Sequence, residues 1–388
     1  VRLVSCARVA DGAIVARPVW RCSAGRAMRM LAEGARVTPA MREALARAGV
    51  AALWIDDALS EGIVPAVTVA DATYEAAVAE VAALREWVAG PRGDRVLDRA
   101  RTAGLAAAVE ALIREVLAAP RLASHTHMEP GAGAWDPARH AVNVTVLGLI
   151  LGVAHQAVRA PGPPAGGGPR AAQDRLRALG LGLALCDVGT ALVPGVAMHG
   201  TLGPGGEVRG PVRAHPLLGA RLLPEAEFPA ITRRVVAEHH EGVDGRGYPA
   251  GHAGERVHPL AQIARMAATY DALTRPGPPG VPAPRHAAWA AVGRMDAEGA
   301  VAPEMAALFR RTVAPYPEGT SVLLDDGRRG IVSATHPAHA DRPTVRVTHG
   351  PDAARVEPYE LAPGEAAVAE ALVDVDDPPR RRPAPLRG

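Results

Sequence analysis

The stretch "EHHEGVDGRGYPAG", residues 238–251, decides how the rest of the chain is read. Two adjacent histidines and a glutamate lead into an aspartate, set in a turn of alternating glycines that closes on Tyr248 and Pro249. An ordinary helix or strand gains nothing from such a run. Neighbours on a helix point about 100° apart, so His239 and His240 serve one site only near a helix end or opposite a two-centre cluster. Neutral imidazole is a common metal ligand, and aspartate suits hard divalent ions. The partners to seek are therefore other His and Asp residues. Upstream lie His140 at the start of an apolar run, Asp187 inside "LGLALCDVG" and His215 in "RAHPLLGA". An ionised Asp187 amid that much Leu, Gly and Ala is costly unless something neutralises it, and a metal ion does so. The other histidines, among them His125, His127, His155, His199, His252, His258 and His349, read as capped or surface side chains.

The bulk of the sequence narrows the classes. A chain of 388 residues is too long for one ordinary core, so two or three domains are expected. All 43 basic residues are arginine and Asn143 is the only asparagine, a pattern of coding bias that removes arginine abundance as evidence for phosphate binding. A formal charge of +2 gives no long-range field for a nucleic-acid polymer or a membrane surface. Cys6, Cys22 and Cys186 are too scattered for a disulfide framework, and a reducing cytoplasm fits them. The N-terminal residues lack the basic start and apolar core of a signal peptide. "VTVLGLILGVA", residues 144–154, falls short of the roughly 20 residues that span a bilayer and reads as a buried helix, so no membrane span is expected.

Periodicity divides the chain into five parts. Residues 1–70 carry short β-type runs, "GAIVARPVW" and "VAALWID", around a helical "TPAMREALARAG", which suggests a small α/β module. A helical linker follows over 73–130, then a mainly helical domain over 131–315. Two Pro/Gly-rich breaks, 160–169 and 275–284, interrupt that domain. Alternating "SVLL" and "GIV" around Asp-Asp-Gly, then "PTVRVTH", predict a small β-barrel-like module over 316–365. The tail 366–388 is expected to be disordered.

"HHEGVDGRGYP" resembles the HHExxDGxGYP signature of HD-GYP proteins at every fixed position: His239, His240, Glu241, Asp244, Gly245, Gly247, Tyr248 and Pro249. "HAVNVTVLGLILG", "LALCDVGTALVP", "RAHPLLGARLL" and "TYDALT" are similar to further segments of that family, and the flanking modules also look like its members to about residue 360. The resemblance implies a mainly α fold, an HD-type helical bundle that holds two or three iron or manganese ions. Metal-activated water then attacks a phosphodiester of cyclic di-GMP, giving pGpG and sometimes GMP. Paired metals suit that chemistry because they clamp phosphoryl oxygens and generate a nucleophile near neutral pH. The resemblance makes His140, Asp187, His215, His239 and His240 metal ligands, with Asp187 central to catalysis. It places Asp244, Gly245, Arg246, Gly247 and Tyr248 around the substrate.

The sequence departs from the family at three places. Cys186 stands where the family has the histidine of its His-Asp pair, Thr190 where it has a lysine, and Ala268 where it has a metal-binding Asp. By the resemblance, one ion keeps Asp187, His215, His239 and His240, while the other keeps two of four ligands, His140 and the shared Asp187. Cys186 offers a thiolate to that second site or a buried apolar filler. Asp136 offers a carboxylate or a helix start with Pro137, and Asp271 lies three residues from position 268. Three functions remain open. The first is a signalling protein with reduced or lost catalysis that binds cyclic di-GMP or a related nucleotide, or a GGDEF-type cyclase. The second is an active phosphodiesterase with an altered metal site, and the third an HD-type hydrolase of another phosphate ester.

Overall fold

The computed structural model describes residues 1–23, 26–48, 50, 52–91, 95–119, 136–159, 169–193, 210–274, 285–336 and 339–372. The 275–284 break, nearly all of the 160–169 break, His125, His127, His199 and the chain beyond 372 lie outside the described residues. The described chain forms two units, one of residues 1–21, 29–66 and 315–388, the other of 22–28 and 67–314.

The first unit draws on both ends of the sequence. Strands β1 (Arg2–Ser5), β2 (Ile14–Val15) and β5 (Ala52–Asp56) form an antiparallel sheet in the order β1-β5-β2; β3 (Val19–Ser23) pairs with β4 (Arg26–Leu31) in a separate ribbon whose residues 22–28 belong to the second unit. Helix α1 (Pro39–Arg47) begins where the Thr38 side chain accepts from Met41 N at 3.3 Å and Pro39 fills a position that needs no N–H. Its Leu45 is buried against Val4, Val15, Leu53 and Ile55. At the far end, β6 (Ser321–Leu324), β7 (Arg329–Ala334), β8 (Thr344–His349), β9 (Arg355–Leu361) and β10 (Val368–Leu372) run antiparallel in the order β10-β6-β7-β8-β9. Two expectations change here. No ladder joins β9 to β10 among the described residues, so this is an open sheet, not a barrel. Val368–Leu372, placed by sequence in a disordered tail, is a strand, because pairing with β6 satisfies its backbone. The two ends meet where Leu3 N donates to Gly319 O at 3.1 Å and Ile63 packs on Ile331.

The second unit is helical: α2 (Asp71–Ala89), α3 (Ala103–Ala118), α4 (Pro137–Arg159), α5 (Pro169–Leu185), α6 (His215–Arg221), α7 (Ala230–Glu238), α8 (Pro259–Thr274), α9 (Arg285–Gly293) and α10 (Pro303–Thr312). The helices expected as a linker, α2 and α3, bury Tyr74, Val81, Leu84, Val109 and Leu112 in the same core as α4 and α5. They belong to the bundle because each carries a continuous apolar stripe that only a neighbour covers. Helix α4 is central and is buried without a break from His140 to Gly152. Over Pro137–His155 it is long and apolar enough to cross a membrane by length and composition, longer than its sequence suggested, and 78% of that apolar window is inside the fold. It packs against α2, α5 and α8, which brings the candidate residues of four separate sequence segments to one end of the bundle.

Candidate metal centre

Each candidate ligand leaves the bundle at a helix terminus. Helix α5 ends at Leu185, and the chain tightens into a 3-10 turn over Val188–Leu192, which sets Asp187 at the corner. The turn fits tightly against α6: a Cβ on Gly189 would lie 2.1 Å from the carbonyl oxygen of His215, so only glycine permits the approach. His215 begins α6, and His239 is the C-cap of α7 with His240 just beyond it. The helix ends there, and the two adjacent rings converge with centroids 4.2 Å apart. The glycine turn then folds back on them. A Cβ on Gly247 would lie 2.4 Å from Gly242 N, and Glu241, 1% exposed, accepts from Ala250 N at 2.6 Å and His252 N at 2.9 Å.

Asp187, His215, His239 and His240 offer ligand atoms that all lie within 4.8 Å of one another. Their protonation is set from behind. His215 Nδ1 faces Val212 O at 2.7 Å and His239 Nδ1 faces Val236 O at 2.9 Å; a carbonyl only accepts, so both Nδ1 atoms carry the proton. In the neutral tautomer each Nε2 then presents a lone pair. Those two Nε2 atoms are 3.0 Å apart and stand 3.2 and 3.6 Å from Asp187 Oδ1, without alignment that would make Oδ1 a hydrogen-bond acceptor. His240 Nε2 is sealed from solvent and has no hydrogen-bond partner among the described residues. Burial, with His239 and His215 adding to it, pushes the His240 pKa well below its ordinary value, and burial also lowers that of His239. Converging lone pairs and a carboxylate oxygen are mutually repulsive unless a cation sits among them, so these residues fit a divalent metal ion.

The other Asp187 oxygen is held differently. His140 Nε2 lies 3.2 Å from Asp187 Oδ2, while His140 Nδ1 lies 2.6 Å from Asp271 Oδ2. Asn143 Nδ2 donates to Asp271 Oδ1 at 2.8 Å and Tyr74 Oη donates to Asn143 Oδ1 at 2.8 Å. Burial alone would lower the His140 pKa, but hydrogen bonds to the two carboxylates outweigh it and raise it to about 9. Burial pushes the Asp187 pKa up, and the His140 imidazole on its other oxygen leads the contacts that reverse this, leaving it well below the usual carboxylate range. His140 thus lies outside the four-residue cluster and bridges two acids.

The remaining candidates are placed as follows. Cys186 is fully buried in the apolar core, and burial raises its thiol pKa well above normal, so it is a protonated core side chain rather than a thiolate. Asp136 accepts from Ala138 N at 2.9 Å and Arg139 N at 3.2 Å, the role of a helix cap. Asp244 Oδ1 accepts from Arg246 N at 3.0 Å inside the turn, and the Arg246 side chain is 88% exposed. Gly245 takes the positive φ of that turn, +76°. Tyr248, joined to Pro249 by a cis peptide, stacks on His240 with ring centroids 4.5 Å apart, and the Arg213 guanidinium lies over the Tyr248 ring, 4.9 Å from its centroid. Ala268 is buried in the core. Sequence reasoning missed Tyr74, Asn143 and Arg85. The single asparagine in a chain that has otherwise lost the residue was the one available signal for Asn143.

Residues 174–300 match the HD domain family. A cyclic di-GMP phosphodiesterase of Pseudomonas aeruginosa, PA4108, is 32% identical over 213 residues, 53% of this chain and 46% of that protein. A cyclic di-GMP phosphodiesterase of Vibrio cholerae is 38% identical over 69 residues, 16% of this chain and 14% of that protein. The chain therefore spans less than half the length of these curated relatives. Among solved structures, Bd1817, an HDG"Y"P protein from Bdellovibrio bacteriovorus, overlaps 79% of this chain and 97% of its own at 13% identity, with a TM-score of 0.46, too loose to bear on the fold. Residues 174–300 of this chain thus match the HD domain family, and the complete HHExxDGxGYP turn stands beside the His/Asp cluster they carry.

Proposed function

We propose that this chain binds cyclic di-GMP at a centre holding a single divalent ion, iron or manganese, and hydrolyses it towards pGpG more slowly than a two-ion centre does. The observation that carries this reading is the contrast around Asp187. Oδ1 faces two bare imidazole nitrogens, whereas Oδ2 is bonded by His140, whose other nitrogen is tied to Asp271. A second ion would have to displace that His140 contact with neither a histidine at 186 nor an acid at 268 to replace it. The ion held by Asp187, His215, His239 and His240 supplies Lewis-acid stabilisation at a phosphoryl oxygen and eases deprotonation of water, a contribution of several kcal/mol that a second ion would extend. His140 keeps Asp187 ionised and oriented, and Tyr248 screens His240 from bulk water.

A second reading is favoured by the replacements at Cys186, Thr190 and Ala268. In it the centre binds the nucleotide without turnover, and the complex is read by a GGDEF-type cyclase or another signalling protein in the cytoplasm. Turnover separates the two. The anaerobically purified chain, supplied with Mn²⁺ or Fe²⁺ and cyclic di-GMP, should release pGpG above the level given by Asp187→Ala. Binding without product would select the second reading, and absence of binding would remove both.

A further inference from the structure

Arg85 reaches the metal-ligating turn from α2, a helix outside the matched residues 174–300. Its Nη1 donates to the backbone carbonyl of Asp187 at 2.9 Å and its Nη2 to Thr190 Oγ1 at 2.9 Å. Both acceptors are neutral. The Thr190 hydroxyl donates its own proton to the Asp187 carbonyl at 2.6 Å, so it meets the guanidinium only as an acceptor. Among the described residues Arg85 makes no ion pair with any carboxylate, although it is half-buried and burial pulls its pKa down. A guanidinium carries five N–H donors, and leaving a desolvated cation without an anion is costly. The acid that acts on it most strongly is Asp187, and one oxygen of that carboxylate is already held by His140.

Taking the proposed function as its basis, we propose that Arg85 is an anion-binding residue that holds a phosphoryl oxygen of the substrate beside the metal centre. The planar fork of arginine suits phosphate, and its two fixed hydrogen bonds to the 187–190 turn orient it without neutralising it. The short Thr190 is what admits a side chain from α2 at this place. A positive charge, absent from the local sequence around Asp187, is thereby restored from a hundred residues upstream.

The test uses the full chain loaded with Mn²⁺, as wild type, Arg85→Met and Arg85→Lys. Three quantities are read: the rise in melting temperature caused by Mn²⁺, the affinity for cyclic di-GMP, and the affinity for phenyl phosphate, a simple phosphate ester that does not depend on the dinucleotide reading. Arg85→Met should keep the Mn²⁺ response and lose roughly 10- to 100-fold in affinity for both anions, with Arg85→Lys recovering part of the loss. Unchanged affinity for both anions in Arg85→Met overturns the proposal. So does loss of the Mn²⁺ response in both variants, which would make Arg85 a clamp on the turn. If wild type ignores cyclic di-GMP but binds phenyl phosphate through Arg85, the anion site stands and the dinucleotide reading falls.

Discussion

His240→Phe separates the cost of the metal centre from its use. The His240 ring lies 4.5 Å from that of Tyr248 at 16°, a stack that a phenyl ring keeps, and its Nε2 is buried without a partner among the described residues. Removing an unsatisfied buried polar atom relieves about 1–3 kcal/mol, and the larger ring adds about 1–3 kcal/mol of strain, so the metal-free variant should lie within about 2 kcal/mol of wild type. The loaded protein behaves differently. An ion at a hundred times its dissociation constant stabilises by about 2.7 kcal/mol, which for a domain of this size raises Tm by about 5–11 °C. If removal of one ligand weakens binding about a hundredfold, the same ion concentration contributes about 0.4 kcal/mol and Tm rises by about 1–2 °C. Scanning calorimetry of chelator-stripped protein, with and without Mn²⁺, reads both effects. A full Mn²⁺ shift in His240→Phe would refute the ligand assignment, and a metal-free loss above about 3 kcal/mol would show that Nε2 had a structural partner.

Three further outcomes follow from the same geometry. The His140 pKa is raised from 6.5 to about 9, so its contribution to metal-free stability is complete below pH 6.5 and is lost as pH rises through 9. That shift corresponds to about 3 kcal/mol at about 1.4 kcal/mol per unit, and His140→Gln should flatten stability measured by urea unfolding between those pH values; an unchanged slope would refute it. Cys186→Ala should lower stability by about 1–2 kcal/mol through a buried cavity while metal content, measured by mass spectrometry, stays the same; a fall in metal content would make Cys186 a ligand after all. Asn143→Leu breaks the Tyr74–Asn143–Asp271 chain and removes one donor to Asp271 Oδ1, so Mn²⁺ affinity by calorimetric titration should drop roughly 10-fold, and unaltered affinity would separate this network from the centre.

The residue types in "HHEGVDGRGYP" already named a metal-and-turn chemistry, because two histidines at a helix end followed by glycines have few other uses. Helical periodicity likewise placed the bundle, and alternation around Asp-Asp-Gly placed the hairpin β6–β7. These are local properties, written in spacings of a few residues. What the chain could not reveal is which distant groups meet. His140 meets Asp271 because α4 packs on α8, 131 positions apart in sequence. Cys186 is buried in the core and is not among the four clustered ligands, because the chain leaves α5 at Leu185 and tightens into the turn that follows. The two ends of the chain share one unit because Ile63 and Ile331 cover each other, which no short-range pattern records. In sequence Arg85 is one charge among several in an Ala-rich helix. Only the packing of α2 against the Asp187 turn places its guanidinium where an anion would need it, since hydrogen-bond partners are fixed by three-dimensional approach and not by spacing along the chain.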